Sequence, residues 1–223
     1  MWDPQASKDG LGAFEGVEDD RAHSEPGVTH IFVQGDNYRF EMHLANRDGP
    51  DRQRQEVKGM RAGGTDLTMG LGETWRLAYS MFIPATLQAT TTFTHIMQLK
   101  MPGDGSAPIL VMSLRRSGGV GRIEVKVFGS DTLVGSADLA PLQNHWLDIE
   151  LEVRIGDAPD GSVRWRLSAG GATLVDARRD GVDTWLADRV RPKWGIYRSI
   201  NDTSGSLHDC YLLLTRMRAY RKQ

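Results

Sequence analysis

Cysteine is almost missing from this chain of 223 residues. Cys210 stands alone, so no intrachain disulfide and no CxxC redox or zinc pair can form. Its setting, Asp-Cys-Tyr-Leu-Leu-Leu, reads as a buried strand thiol. An excess of one charge is missing too. The 27 Lys and Arg nearly balance the 29 Asp and Glu, for a net −2, which argues against a general nucleic-acid binder. No apolar run approaches the ~20 residues that cross a bilayer, and no signal peptide is legible. There is no Walker loop, dinucleotide-binding glycine fingerprint, HExxH or GxSxG elbow. The six histidines, His23, His30, His43, His95, His145 and His208, lack metal-ligand spacing, so no metal is expected. Long helical periodicity and internal repeats are absent as well.

What is present is alternation. Thr74 to Ile83 places Trp75, Leu77, Tyr79, Met81 and Ile83 on one face, and similar segments recur at Ile109–Arg115, Arg122–Phe128, Trp146–Ile155, Ser162–Ser168 and Leu207–Arg221. About a dozen short strands between Gly, Pro and Asp punctuation predict an all-β sandwich of the jelly-roll type. With 39% hydrophobic residues, one domain over residues 28–223 is expected. Residues 1–27 read as an extended lead-in anchored by Trp2, Leu11 and Phe14. Trp75, Trp146, Trp165 and Trp194 sit at apolar-face positions and are expected in the core. Trp185 is a candidate for the rim of a groove.

Three strands carry polar faces. In Arg191–Ser199, Lys193, Gly195 and Tyr197 share one face, with Trp194, Ile196 and Arg198 on the other. Gly195 would leave room for a ligand beside the backbone. Arg54, Glu56 and Lys58 share a face of a second strand, where Glu56 could orient its two basic neighbours. In a third strand, alternation puts Gln98 and Lys100 on one face and His95, Met97 and Leu99 on the other. A fourth strand, Tyr38–Leu44, turns Arg39, Glu41 and His43 to one side, and is expected to pair with the Arg54 strand. Taken singly, each face is what a solvated sheet surface looks like.

The order of these motifs resembles the jelly-roll polysaccharide lyases, a group that includes alginate lyases, glucuronan lyases and heparin-lyase-like proteins. In that group an Arg-x-Glu-Leu-Arg strand, a strand with a groove glutamine and a late Lys-x-Gly-x-Tyr strand cross one concave sheet. Here Arg54, Glu56 and Lys58 match the first, with Lys58 in place of the second arginine. Gln98 matches the second, and Lys193, Gly195 and Tyr197 match the third. The resemblance implies a concanavalin-like jelly roll acting by β-elimination on an anionic, uronate-containing polysaccharide. It implies that Arg54 and Gln98 neutralise the C6 carboxylate, and that Tyr197 protonates the leaving oxygen or serves as base. Lys193, Lys100, Glu56, Lys58 and Arg39 would bind substrate. The alginate-lyase pattern has Gln-x-His, and the base histidine of that pattern is Lys100 here. His95 is expected to face away from the groove, so His43 is the substitute base. The resemblance further implies a secreted or periplasmic monomer with no membrane or nucleic-acid partner. It implies no cofactor, with room for a structural Ca2+ that no motif marks. Two other functions share the fold class. One is a lectin-like binding module. The other is a glycoside hydrolase using Glu41 and Glu56, which requires carboxyls roughly 5–10 Å apart.

Overall fold

A computed structural model describes residues 1–103 and 106–222. Of the loop expected over Met101–Ala107, Asp104 and Gly105 lie outside the described residues. The first third of the chain holds strands β1 (Gly16–Glu18), β2 (Ile31–Gln34), β3 (Asn37–Met42), β4 (Arg52–Lys58), β5 (Met60–Ala62), β6 (Thr65–Leu67) and β7 (Thr74–Phe82). Then come β8 (Thr94–Lys100), β9 (Pro108–Ser117), β10 (Val120–Val127), β11 (Thr132–Asp138) and β12 (Trp146–Arg154). The chain closes with β13 (Ser162–Ala169), β14 (Ala172–Asp180), β15 (Arg191–Ser199) and β16 (Cys210–Lys222). Two seven-stranded antiparallel sheets result. One runs β1-β4-β15-β8-β9-β10-β11 and the other β14-β13-β12-β7-β16-β3-β2.

Period-two alternation creates the core between them. In β3, Tyr38, Phe40 and Met42 are buried while their neighbours are half-exposed. Leu77, Tyr79 and Met81 of β7 meet Leu147, Ile149 and Leu151 of β12 in the same layer. Side chains that alternate in this way can bury only one face of a sheet, and a second sheet must cover it. Residues 2–18 pack onto this core through short elements. A helical turn (Ala6–Asp9) and a 3-10 turn (Gly10–Ala13) precede β1, which pairs with β4. Trp2 stacks on Trp194 with ring centroids 5.6 Å apart, and Phe14 lies edge-on to both Trp2 and Tyr38.

Other expectations fail here. β3 pairs with β16 and β2 in the second sheet, not with β4, because the β2–β3 hairpin leaves the chain to cross between sheets through residues 43–51. Arg39, Glu41 and His43 therefore lie away from the Arg54 face. Trp146, at the start of β12, is 40% exposed beside Phe82, whereas the other three tryptophans expected inside are buried. Trp185 packs partly buried against the core instead of rimming the groove.

Gly195 has a different use from the one expected. It adopts φ +138°, and a Cβ there would lie 2.1 Å from the carbonyl oxygen of Gln55. The space is taken by the backbone of β4, not held open for a ligand. Gly195→Ala is expected to cost at least about 3 kcal/mol, since it combines backbone strain with a clash against main-chain atoms. Urea unfolding measures this, and a loss below about 1 kcal/mol would contradict the account.

Candidate active site

The outer face of the first sheet carries a polar groove. Its two lobes have volumes of about 620 and 460 Å³ and share Gln98, Pro108 and Tyr197. Register builds it. Across β15 and β4, Lys193 faces Lys58, Gly195 faces Glu56 and Tyr197 faces Arg54. On the other side, Lys193 faces Gln98 and Tyr197 faces His95. Alternation alone cannot place His95 and Gln98, three residues apart, on one face. A register shift between His95 and Met97 inserts Ile96 as an extra residue against β9. Such a bulge re-aims every side chain beyond it. Met97 and Leu99 stay in the core, while His95 joins the groove. Without this bulge, alternation would turn His95 away from the groove.

Under the larger lobe lies a network of charges. Glu56 is fully buried. Its Oε2 accepts from Arg54 Nη1 at 2.8 Å and forms an ion pair with Lys193 Nζ at 2.7 Å, and its Oε1 accepts from Gln98 Nε2 at 2.6 Å. Lys193 also donates to Glu18 at 2.6 Å. Burial pushes the Glu18 carboxyl up, but Lys193, Arg54 and Lys58 outweigh it and hold it down at about 2. Arg54 donates its Nε to Asp48 at 2.7 Å. Burial works against its charge, and Glu56, Asp48 and Glu18 more than restore it, moving its pKa above the ordinary value. The ammonium of Lys193 is thus committed to carboxylates and serves the groove as a support. Lys58, Lys100, Arg191 and Arg52 line the walls around it. Lys100 donates to the Gly103 carbonyl and to Ser106.

Beside this network, Tyr197 and His95 meet with ring centroids 5.9 Å apart. Arg52 Nη1 donates to the Tyr197 hydroxyl at 2.9 Å. The Arg54 guanidinium lies 3.9 Å from the centroid of the same ring. Because the phenol oxygen accepts from Arg52, its own proton is free for a ligand. His95 is 8% exposed, with Nδ1 2.7 Å from Ser113 Oγ and its ring stacked on Phe93. Burial lowers its pKa to about 4, against the raising effect of Glu56. At neutral pH it is an uncharged imidazole.

The residues marked from the sequence therefore separate. Arg54, Glu56, Lys58, Gln98, Lys100, Lys193 and Tyr197 come together. Arg39 and His43 do not. Arg39 pairs with Glu41 at 2.6 Å and lies over Tyr211, and His43 contacts Glu25. The carboxylate pair proposed for hydrolysis is also lost, because Glu41 and Glu56 lie on different sheets and Glu56 is buried under three donors. Arg52 and Glu18 join the site without having been marked from the sequence, and His95, which strict alternation turns away, enters it. Its place on the Gln98 strand is the signal that points to it.

No family model matches the chain, and no curated protein matches it in sequence. Solved structures do match. An alginate lyase from Pseudomonas aeruginosa is 15% identical with a TM-score of 0.58, covering 95% of this chain and 99% of its own. The endo-β-1,4-glucuronan lyase of the fungus Trichoderma reesei is 13% identical with a TM-score of 0.58, covering 94% and 91%. The family 7 alginate lyase A1-II′, with His→Asn and Tyr→Phe replacements and bound substrate, is 14% identical with a TM-score of 0.60, covering 87% and 82%. The chain has the β-jelly-roll fold of these lyases. At such identities the likeness speaks for the fold, and the chemistry has to be argued from the groove.

Proposed function

We propose that this groove cleaves a uronate-containing polysaccharide by β-elimination. The observation that carries the reading is the meeting of an uncharged, buried imidazole and a phenol on one face, next to an amide and guanidinium groups. Elimination removes the proton at C5 and expels the oxygen at C4, leaving a C4–C5 double bond. Negative charge builds on the C6 carboxylate as the C5 proton leaves, so donors must be preorganised there. Gln98 spends one amide proton on Glu56 and has a second to offer. Arg54 spends Nε and Nη1 on carboxylates and has Nη2 to offer. His95 takes the C5 proton and Tyr197 delivers its hydroxyl proton to O4. Arg52, already on the phenol oxygen, stabilises the phenolate that results. A jelly-roll neighbour with bound substrate carries its replacements at a His and a Tyr, the two side-chain types that meet here. Lys58, Lys100 and Arg191 offer cationic walls to the flanking uronates of an anionic chain.

Ultraviolet absorbance of the conjugated product, measured over a panel of polyuronates, tests the proposal. A rising signal on one polymer is expected, lost in His95→Asn. The acid limb of kcat/KM reports the free enzyme. It should fall away as pH drops through about 4, where His95 takes up a proton, and not near the ordinary histidine value of 6.5. A bound carboxylate favours the imidazolium, so the limb of kcat should lie higher. Binding without any product on all polymers would favour the lectin-like module, and new reducing ends without the double bond would sink the elimination.

A further inference from the structure

At the base of the β2–β3 hairpin of the second sheet, His30, His43 and Glu25 converge on one point. Their nearest ligand atoms all lie within 4.8 Å of one another. The β2–β3 hairpin brings the two histidines together. His30 immediately precedes β2, His43 immediately follows β3, and the rings sit 5.1 Å apart. Glu25 comes from the loop before the hairpin. The Asp20 carboxylate fixes that loop by accepting from the backbone amides of Ser24 and Glu25. Oε2 of Glu25 lies 2.9 Å from His43 Nδ1 and 3.2 Å from His30 Nε2.

His30 is fully buried, and its Nδ1 lies 2.8 Å from Asp19 Oδ1. That contact makes Nδ1 the protonated nitrogen and leaves a lone pair on Nε2. Asn46 Nδ2 lies 3.0 Å from Nε2 and donates to Glu25 Oε2, so one amide bridges the two acceptors. Asn46 cannot turn over, because its Oδ1 accepts from the backbone N–H of His43 at 2.7 Å. A cation bound by Nε2, Nδ1 and Oε2 would take over the lone pairs that the Asn46 amide now holds.

We propose that Glu25, His30 and His43 form a structural site for a borderline divalent transition ion, Zn2+ foremost. Two imidazoles and one carboxylate suit that class, whereas Ca2+ and Mg2+ take oxygen ligands. The separations of 2.9 and 3.2 Å are close to what ligands about 2.0–2.1 Å from one ion require. Asp19 behind His30 is the carboxylate–histidine arrangement that orients a ligating ring. The ion would tie the 19–25 loop to both ends of the hairpin.

Zinc chloride titrated into chelator-dialysed protein by calorimetry, beside thermal unfolding, tests this. One Zn2+ per chain is expected. At about 100 times its Kd the ion should raise Tm by about 5–10 °C, while CaCl2 and MgCl2 do neither. Asp19→Asn should weaken binding by about 10- to 100-fold, and His43→Ala should abolish the stoichiometric site. Asn46→Asp keeps the acceptor for the His43 amide and adds a fourth ligand, so it should tighten Zn2+ binding. Absence of stoichiometric Zn2+ binding in the wild type would overturn the proposal, as would unchanged binding in His43→Ala and Glu25→Gln. Should His43→Ala not fold, the Co2+ spectrum of the wild type decides between a four-coordinate nitrogen-ligated ion and a merely hydrated one.

Discussion

Tyr197→Phe is expected to lower kcat on the responsive polyuronate by about 10²- to 10⁴-fold, the range for removing a positioned acid or base. KM should stay within about twofold, because the hydroxyl matters when the C4–O bond breaks and little before. Loss of kcat with unchanged KM marks an interaction made in the transition state. The substitution is a clean one in this setting. Phenylalanine keeps the ring under the Arg54 guanidinium, which lies 3.9 Å from the centroid. It removes only the hydroxyl that accepts from Arg52 at 2.9 Å, a hydrogen bond worth about 1 kcal/mol. Stability should therefore be nearly unchanged and the loss chemical. Full activity in the variant would assign protonation of O4 to another group, and Tyr197 would become a wall of the groove. Parallel loss of binding would make it a substrate contact instead.

How much of this groove could be read from the sequence depends on what alternation encodes. It reports the face of a strand. On β15, Lys193 and Tyr197 both line the groove, and their partners Lys58 and Arg54 are grouped, with Glu56, by the same period. Alternation does not report which strand lies alongside. Arg39, Glu41 and His43 form as regular a polar face as Arg54, Glu56 and Lys58, yet β3 belongs to the other sheet. Nor does it survive an inserted residue. Ile96 breaks the period of β8, and with it the placement of His95. The edge strands β1 and β11 were invisible for a related reason. β11 buries only Val134, so almost no apolar rhythm marks it. The commitment of Lys193 to two carboxylates was equally hidden, because Glu18 lies 175 residues away in sequence.

That commitment leads to the largest expected effect on stability. Lys193→Met is expected to cost about 3–5 kcal/mol in urea unfolding, the range for deleting one partner of a buried ion pair. The lysine side chain is 3% exposed and lies between Glu18 and Glu56, 2.6 and 2.7 Å away. Methionine fills similar volume and leaves both carboxylates without the ammonium. Arg54 still contacts each, at 3.5 and 2.8 Å, which places the cost toward the lower end. The pH dependence separates charge from packing. In the folded protein Glu18 titrates at about 2, below its ordinary 4.5. It therefore contributes stability that is present above about pH 4.5 and is lost as pH falls toward 2. Removing Lys193 raises the folded value toward the ordinary one and shrinks that contribution. The gap between wild type and Lys193→Met should be widest above pH 4.5 and narrow as pH falls to 2–3. A gap that stays constant over that range would mean that the lysine acts through packing of its stem, and that the charges beneath the groove are held by the arginines alone.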